Sequence, residues 1–134
     1  KNIFKVSADV ANAKHIKRGW DAPFDATEEI YDAVLKADEQ FVRVYSSKLG
    51  NKTGDFLVKA EEIAGLNPTQ IKNRLALDYV PDMMVDVNVP SGTTIRSGVA
   101  AERKSVDALG GGNQIQLQER IDDSNFTNAR KINE

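Results

Sequence analysis

His15 is the side chain best suited to proton transfer near neutral pH, because it is the one histidine among 134 residues and the chain has no cysteine. An imidazole titrates close to neutrality and can act as a general acid or base. Lys14, Lys17 and Arg18 surround it, and their positive charge would lower its pKa and favour the neutral base. The alternative is a histidine on a helix surface or at a helix end, without a catalytic role.

Arg43 lies in a segment with the composition of a β-strand, from Phe41 to Tyr45. Residues two apart share one face of a strand, so Arg43 stands between the two aromatic residues and opposite the face of Val42 and Val44. A guanidinium there can bind phosphate, and an aromatic neighbour can stack a base or a nicotinamide ring. Arg43 could instead form an ion pair with an acidic residue of a neighbouring helix.

Gln114 and Gln116 share one face of another candidate strand, where they could bind a ribose or a base edge, or simply face water. They follow three glycines at 110–112. This run lacks the lysine and the flanking strand and helix of a phosphate-binding loop, so a nucleoside triphosphate site is excluded. Three aspartates between 78 and 86 are spaced by four, but a proline breaks any helix that would align them. We therefore predict neither a metal site nor a cofactor.

Charge is distributed unevenly along the chain. The 20 acidic and 18 basic residues give a net charge of −2, which argues against an indiscriminate nucleic-acid binder. Residues 1–18 hold five basic groups and one acid, residues 21–39 hold seven acids and one base, and residues 43–74 hold six bases and three acids. Oppositely charged surfaces would suit a protein that meets a polyanion on one side and another partner elsewhere. Solvated faces without a partner are the alternative.

The hydrophobic pattern predicts one α+β domain over 1–134, with N-terminal helices packed on a twisted antiparallel sheet of about four to five strands. The helical part spans about 1–40 and the sheet part about 41–134. Ser7 is expected to cap a helix that ends at Gly19, and Asp25 to form a capping box with Glu28 before a second helix. Further predicted elements are a helix at 67–75, strands at 41–45, 56–58, 85–89 and 114–118, and a return strand at 94–96 that pairs with 85–89 through the turn at 90–93.

Five phrases in one order resemble the C-terminal toxin domains of bacterial polymorphic toxins, and most nearly the CdiA-type effectors of contact-dependent growth inhibition. They lie at 54–57, 73–77, 89–93, 98–101 and 110–114, and the resemblance covers roughly residues 41–118. The resemblance implies a domain that is secreted as the C-terminal part of a large surface effector. A sequence that begins with lysine rather than methionine agrees with this expectation. Such a domain acts in the cytoplasm of the target bacterium, is neutralised by a cognate immunity protein and has no stable association with a membrane.

Two activities are compatible with that class. Some CdiA-type toxins are tRNA nucleases, and one similar group acts together with the elongation factor EF-Tu. The alternative is an NAD-degrading toxin, because the chain also resembles the tuberculosis necrotizing toxin class, which uses a histidine, arginines and a glutamine around NAD. Arg43 and Gln114 sit at matching places, but the sequence has no histidine near the strand that holds Phe56. A binding module without enzymatic activity is a further alternative.

The sequence-based expectation favours the metal-independent ribonuclease, with EF-Tu presenting the tRNA to compensate for the acidic chain. Cleavage then needs a base, an acid and donors for the phosphorane charge. His15 would serve as base or acid. The remaining predicted site comprises phosphate stabilisers Arg43 and Arg96, donors Thr94 and Tyr45, and substrate-binding residues Gln114, Gln116, Lys14, Arg18 and Arg74.

Overall fold

The fold is α+β, as predicted, and a computed structural model describes residues 2–133. Over these residues the strands are antiparallel and form two separate sheets. The helices are α1 (Ala8–Lys17), α2 (Ala60–Ile63) and α3 (Pro68–Leu75). The strands are β1 (Asn2–Val6), β2 (Ile30–Val34), β3 (Glu39–Tyr45), β4 (Phe56–Leu57), β5 (Met83–Val89), β6 (Thr94–Val99), β7 (Asn113–Leu117) and β8 (Phe126–Lys131).

The larger sheet has the strand order β1-β2-β6-β7-β4, and the smaller sheet has the order β3-β5-β8. They meet where Val42 of β3 and Val58, just after β4, exchange two backbone hydrogen bonds of 2.9 Å. One hydrophobic core fills the space between the sheets and contains Leu57, Val87 and Ile95. A second core, with Val44 among its members, lies between the smaller sheet and α3. The sequence predicts a single sheet, whereas the strands of residues 2–133 form two.

The first helix forms as predicted. Val10 N donates to Ser7 Oγ at 3.2 Å, and the helix ends before Gly19, whose φ of +76° lies in the left-handed region. A glycine adopts that conformation without a steric penalty, so it can reverse the chain direction. The following loop then leaves α1 and returns to the larger sheet at Phe24, which bridges Ala100.

The second predicted helix, at 26–38, is wrong. The side chain of Asp25 accepts hydrogen bonds from both the backbone N and the hydroxyl of Thr27, at 2.8 and 2.7 Å, which makes a local turn rather than a capping box. The chain then enters β2, which β1 and β6 flank on both sides. Pairing on both edges overrides the helical pattern in the sequence, because strand propensity depends strongly on the neighbours that a strand finds.

The predicted hairpin between 85–89 and 94–96 is also wrong in its pairing. Both strands exist, but β5 is already flanked by β3 and β8, so β6 crosses to the larger sheet. Leu35 anchors this crossing, because its N donates to Thr93 O at 3.0 Å and its O accepts from Gly92 N at 2.7 Å. The sequence prediction also lacked β1, β8 and the short helix α2.

Asn12 fixes α1 to the loop that follows it. Its side chain is buried, donates to Phe24 O and accepts from Phe24 N, both at 3.0 Å. We expect Asn12→Ala to lower the free energy of unfolding by about 2–3 kcal/mol, because it leaves two buried backbone groups unpaired. Urea unfolding measures the change, and Lys17→Ala, at an exposed position of the same helix, is the control. Equal stability of the two variants would contradict the assignment.

Candidate functional site

A cavity of about 610 Å³ opens between the end of α1, the strands β3 and β4, the end of α3 and the segment around residue 103. Three of the residues predicted from the sequence line it: His15, Arg43 and Gln114. They come from a helix and from one strand of each sheet, so only the tertiary fold brings them together. A cavity of this volume is within the range of small-molecule and cofactor sites.

Arg43 contributes a cation that forms no ion pair within residues 2–133, although the charge of Asp55 acts on it from a distance. Its Nε and Nη2 donate to Asn51 O at 3.2 and 3.1 Å, and its Nη1 donates to Phe56 O at 3.1 Å. Within residues 2–133 it forms no ion pair, so the predicted alternative of an acidic partner on a helix is not found. Burial lowers the pKa of the Arg43 guanidinium from its ordinary value. A desolvated cation held only by carbonyls is well placed to bind an anionic group.

Gly54 makes room for this guanidinium. A Cβ atom at position 54 would lie 2.5 Å from Cζ of Arg43 and within 2.8 Å of both terminal nitrogens. Any side chain other than hydrogen at this position would therefore displace the cation from its carbonyl partners. The loop between β3 and β4 thus fixes Arg43 through the carbonyl group of Asn51 and through Gly54, and β4 adds the carbonyl group of Phe56.

His15 lies on the face of α1 that turns towards the larger sheet. Its ring makes edge contacts with Trp20, at 5.6 Å between ring centroids, and with Phe56, at 5.8 Å. Burial is the largest cause of a lowered pKa for His15, and the positive charges of Arg18 and Arg103 act in the same direction. The neutral imidazole, which can accept a proton, is therefore the main form at pH 7.

Gln114 is held at the start of β7 with its side-chain orientation fixed. It is 7% exposed, and its Nε2 donates to Pro23 O at 2.7 Å. Since a carbonyl can only accept, this contact assigns the amide nitrogen to Pro23. Within the described part of the chain no donor bonds to Oε1, which leaves that atom available to a ligand in the cavity.

The three glycines before β7 allow the chain to pack closely against the end of α3. Gly110 N donates to Asn73 O at 2.8 Å and Gly112 N donates to Arg74 O at 3.0 Å, which satisfies two carbonyls near the end of α3. A Cβ atom on Gly112 would lie 2.8 Å from Cγ of Arg74. This close approach brings β7, and Gln114 with it, next to the end of α3.

Arg103 connects three segments of the cavity wall. Its Nε donates to Asp21 at 3.0 Å, its Nη1 to Ala76 O at 3.0 Å, and its Nη2 pairs with Asp78 at 2.7 Å. Burial is the largest single influence on the pKa of Arg103 and lowers it, but the hydrogen bonds and charges of Asp78 and Asp21 together outweigh burial and raise that pKa. Ala76 itself adopts a left-handed backbone, with φ of +53°, which a residue with a side chain rarely does. Such strain is often found at functional sites.

The other predicted site residues do not line the cavity: Lys14, Arg18, Tyr45, Arg74, Thr94, Arg96 and Gln116. Tyr45 is buried in the core between the sheets. Arg96 forms a two-pronged ion pair with Asp32, at 2.7 and 2.9 Å, and Arg74 pairs with Glu62 at 2.9 Å. These contacts give both arginines structural partners.

Of the other predicted residues, Arg18 and Lys14 lie near the cavity, and Gln116 and Thr94 lie in strands of the larger sheet, without lining the cavity. Arg18 stacks over the Trp20 ring at 5.1 Å, and Lys14 acts on His15 only through its charge. Gln116 lies opposite both Phe56 and Arg96 in the larger sheet. The backbone of Thr94 bonds to the Glu119 side chain.

Sequence reasoning did not select several residues of the cavity wall, among them Trp20, Asp21, Tyr79 and Arg103. One signal was present. Trp20 is the only tryptophan, directly follows the glycine that ends α1, and remains 55% exposed. A large aromatic residue exposed after a helix end is a common feature of a binding surface.

Over residues 2–133, no group of three or more histidine, aspartate or glutamate side chains is arranged to hold a metal ion. The helices of the same region include none long and apolar enough to span a membrane. The cavity wall instead offers cations, carboxylates, an amide and aromatic rings.

Together these features define an α+β domain of two antiparallel sheets with a polar, aromatic-lined cavity beside its first helix. No protein-family profile matches the chain, and no curated protein matches it. Among solved structures, the fold is similar to a chain in the structure of Tne2 in complex with Tni2. The TM-score is 0.58 and the identity 14%, with 82% of this chain and 92% of that chain covered. At this identity the likeness shows a shared fold.

Proposed function

We propose that the domain is a toxin that hydrolyses NAD⁺ to nicotinamide and ADP-ribose in this cavity. The observation that carries the proposal is the convergence of His15, Arg43 and Gln114 on one cavity. The sequence alone favours a ribonuclease, and the absence of a histidine near Phe56 in the sequence counts against the NADase. In the fold, His15 reaches the Phe56 ring from α1, at 5.8 Å, which removes that objection to the NADase.

The contents of the cavity correspond to the parts of NAD⁺. Arg43 can bind the pyrophosphate, since its charge has no carboxylate partner among residues 2–133. Gln114 Oε1 can accept a hydrogen bond from the carboxamide of nicotinamide. Trp20 and Phe56 offer aromatic surface to the ring, and stacking on such surfaces is worth about 1–3 kcal/mol per base.

The reaction needs no cofactor. The bond from ribose C1′ to the pyridinium nitrogen breaks, and its electron pair neutralises the ring, so nicotinamide leaves without protonation. The ribose passes through a state like an oxocarbenium ion, which water attacks at C1′. Neutral His15 accepts the proton that the water loses and then releases it to solvent. The sum is NAD⁺ and water giving nicotinamide, ADP-ribose and one proton.

The chain of similar fold comes from a complex of two proteins, Tne2 and Tni2, which agrees with a domain that binds a partner protein. We therefore propose that this domain has a cognate immunity protein, and that it acts in the cytoplasm of a target bacterium after delivery as part of a larger effector. Assignment to the CdiA type rests on the phrases in the sequence alone.

The ribonuclease with EF-Tu and tRNA stays a prediction, and one experiment separates the two activities. The purified domain is incubated with NAD⁺, and nicotinamide and ADP-ribose are measured by chromatography. Total tRNA, with and without EF-Tu, is incubated in parallel and run on a denaturing gel. We expect NAD⁺ to be consumed and tRNA to stay intact. Shortened tRNA beside intact NAD⁺ would overturn the proposal in favour of the ribonuclease, and two intact substrates would favour a binding module.

A further inference from the structure

Asp21 is a carboxylate that is anchored through one oxygen only. It directly follows Trp20 and lines the cavity. Its Oδ2 accepts hydrogen bonds from Arg103 Nε, at 3.0 Å, and from the hydroxyl of Ser105. Within residues 2–133 no donor bonds to Oδ1, and the side chain keeps 43% of its surface exposed. One oxygen therefore fixes the position of the group, while the other can act on a ligand.

The same anchor keeps Asp21 negatively charged. The hydrogen bond from Ser105, followed by that from Arg103, holds the pKa of Asp21 below its ordinary value. Hydrogen bonds to an ionised carboxylate favour the ionised form. Asp21 therefore stays anionic at neutral and mildly acidic pH, with a fixed orientation at the cavity wall.

We propose that Asp21 is a catalytic residue that stabilises the positive charge on the ribose while the nicotinamide leaves. This role rests on the proposed NAD⁺ hydrolysis. As the bond from C1′ to the ring nitrogen breaks, the positive charge moves from the pyridinium ring to C1′ and the ring oxygen of the ribose. A fixed negative charge near that position stabilises the positive charge that develops on the ribose in the transition state. Because the bound substrate does not yet carry that charge on the ribose, the effect is a higher kcat. Asp21 takes no proton and forms no bond, and His15 accepts the proton of the attacking water.

Asp78 is a matched comparison within the same network. It also pairs with Arg103, at 2.7 Å, and also lines the cavity. Its side chain is more exposed, at 65% against 43% for Asp21. Solvent screens an exposed charge more strongly, so Asp78 should contribute less to the charged state. If Asp21 merely anchored Arg103, the two aspartates would have equivalent roles.

The test compares Asp21→Asn with Asp78→Asn. We expect Asp21→Asn to lower kcat for NAD⁺ by about 100-fold, and Asp78→Asn to lower it by less than about threefold. Binding is measured separately with ADP-ribose, through the fluorescence of Trp20, the only tryptophan. The Kd of Asp21→Asn should stay within about twofold of the wild type, because the role concerns the charged state rather than the product. An unchanged kcat, or equal losses in both variants, would overturn the proposal.

Ser105→Ala provides a second variant should Asp21→Asn fail to fold. It removes one of the two hydrogen bonds that fix Oδ2 of Asp21 but keeps the carboxylate. The charge is then held less firmly, so kcat for NAD⁺ should fall by about tenfold while the Kd for ADP-ribose stays within about twofold of the wild type. An unchanged kcat would contradict the role of Asp21. A wild-type domain that leaves NAD⁺ intact would instead overturn the proposed function itself.

Discussion

Arg43→Leu is expected to lower kcat/KM for NAD⁺ by about 1,000-fold, mostly through KM. Two hydrogen bonds from a charged donor to a phosphate, at about 2 kcal/mol each, account for this factor. The Arg43 guanidinium is desolvated, and within the described residues its hydrogen bonds go to the carbonyl groups of Asn51 and Phe56. No other arginine that lines the cavity is free of a carboxylate partner within residues 2–133, since Arg103 binds Asp21 and Asp78.

Arg96→Leu is the control for this prediction. Arg96 also lies in the middle of a strand, but its guanidinium is neutralised by Asp32, at 2.7 Å, and does not line the cavity. The substitution should destabilise the fold, because it leaves a half-buried carboxylate without its partner. Activity per folded molecule should stay within about threefold of the wild type, as for other substitutions away from a site. Equal losses of activity in both arginine variants would contradict the assigned site.

Gly54→Ala tests the position of Arg43 without removing any side chain of the cavity wall. The added methyl group would lie 2.5 Å from Cζ of Arg43 and must displace the guanidinium. We expect KM for NAD⁺ to rise about tenfold, since part of the contact energy to the pyrophosphate is lost. A variant with wild-type KM would show that the observed position of Arg43 is not needed for substrate binding.

His15→Ala is expected to lower kcat for NAD⁺ by about 1,000-fold and to abolish toxicity in bacteria, because general base catalysis contributes about 10²- to 10⁴-fold. Burial, together with Arg18 and Arg103, lowers the pKa of His15 below its ordinary value of 6.5. The neutral imidazole therefore persists to a lower pH than an unperturbed histidine would allow. The wild-type rate should fall as the imidazole becomes protonated, with the midpoint of that fall below pH 6.5.

The matched control is Lys17→Ala, at an exposed position of the same helix, which should keep both the rate and its pH profile. Thermal melting checks that His15→Ala is folded. A folded His15→Ala protein with a third or more of the wild-type rate would contradict the role of His15 as base. If that protein had lost toxicity but kept NAD⁺ hydrolysis, the toxic activity would have to be sought elsewhere.

Local features of the sequence predicted the local structure well. Ser7 caps α1 as expected, and the side chains of Asn67 and Gln70 form a capping box at α3. The alternating valines form β5, whose valines at 85, 87 and 89 are fully buried. Caps and alternating patterns are specified by residues a few positions apart, so they are visible before the chain folds.

The element at 30–34 shows where such reasoning ends. Its residues fit a helix in the sequence, but in the fold they lie between β1 and β6 and form a strand. The same limit applies to β6, which pairs with β2 and β7 in the larger sheet and not with β5, its expected partner. Hydrogen bonds between distant segments decide both cases, and a single sequence does not record which segments meet.

By itself the sequence determined the chemical inventory: one histidine, no thiol, arginines in alternating segments and a glutamine after three glycines. Only the tertiary structure decided which of these residues could act together. Strand register placed Arg96 opposite Asp32 and Arg43 opposite Val85, so Arg96 forms an ion pair while Arg43 has no ion-pair partner within residues 2–133. The packing of α1 placed His15 beside Phe56. A charge is available to a ligand only where the fold supplies no opposite charge, and that depends on contacts between residues far apart in the chain.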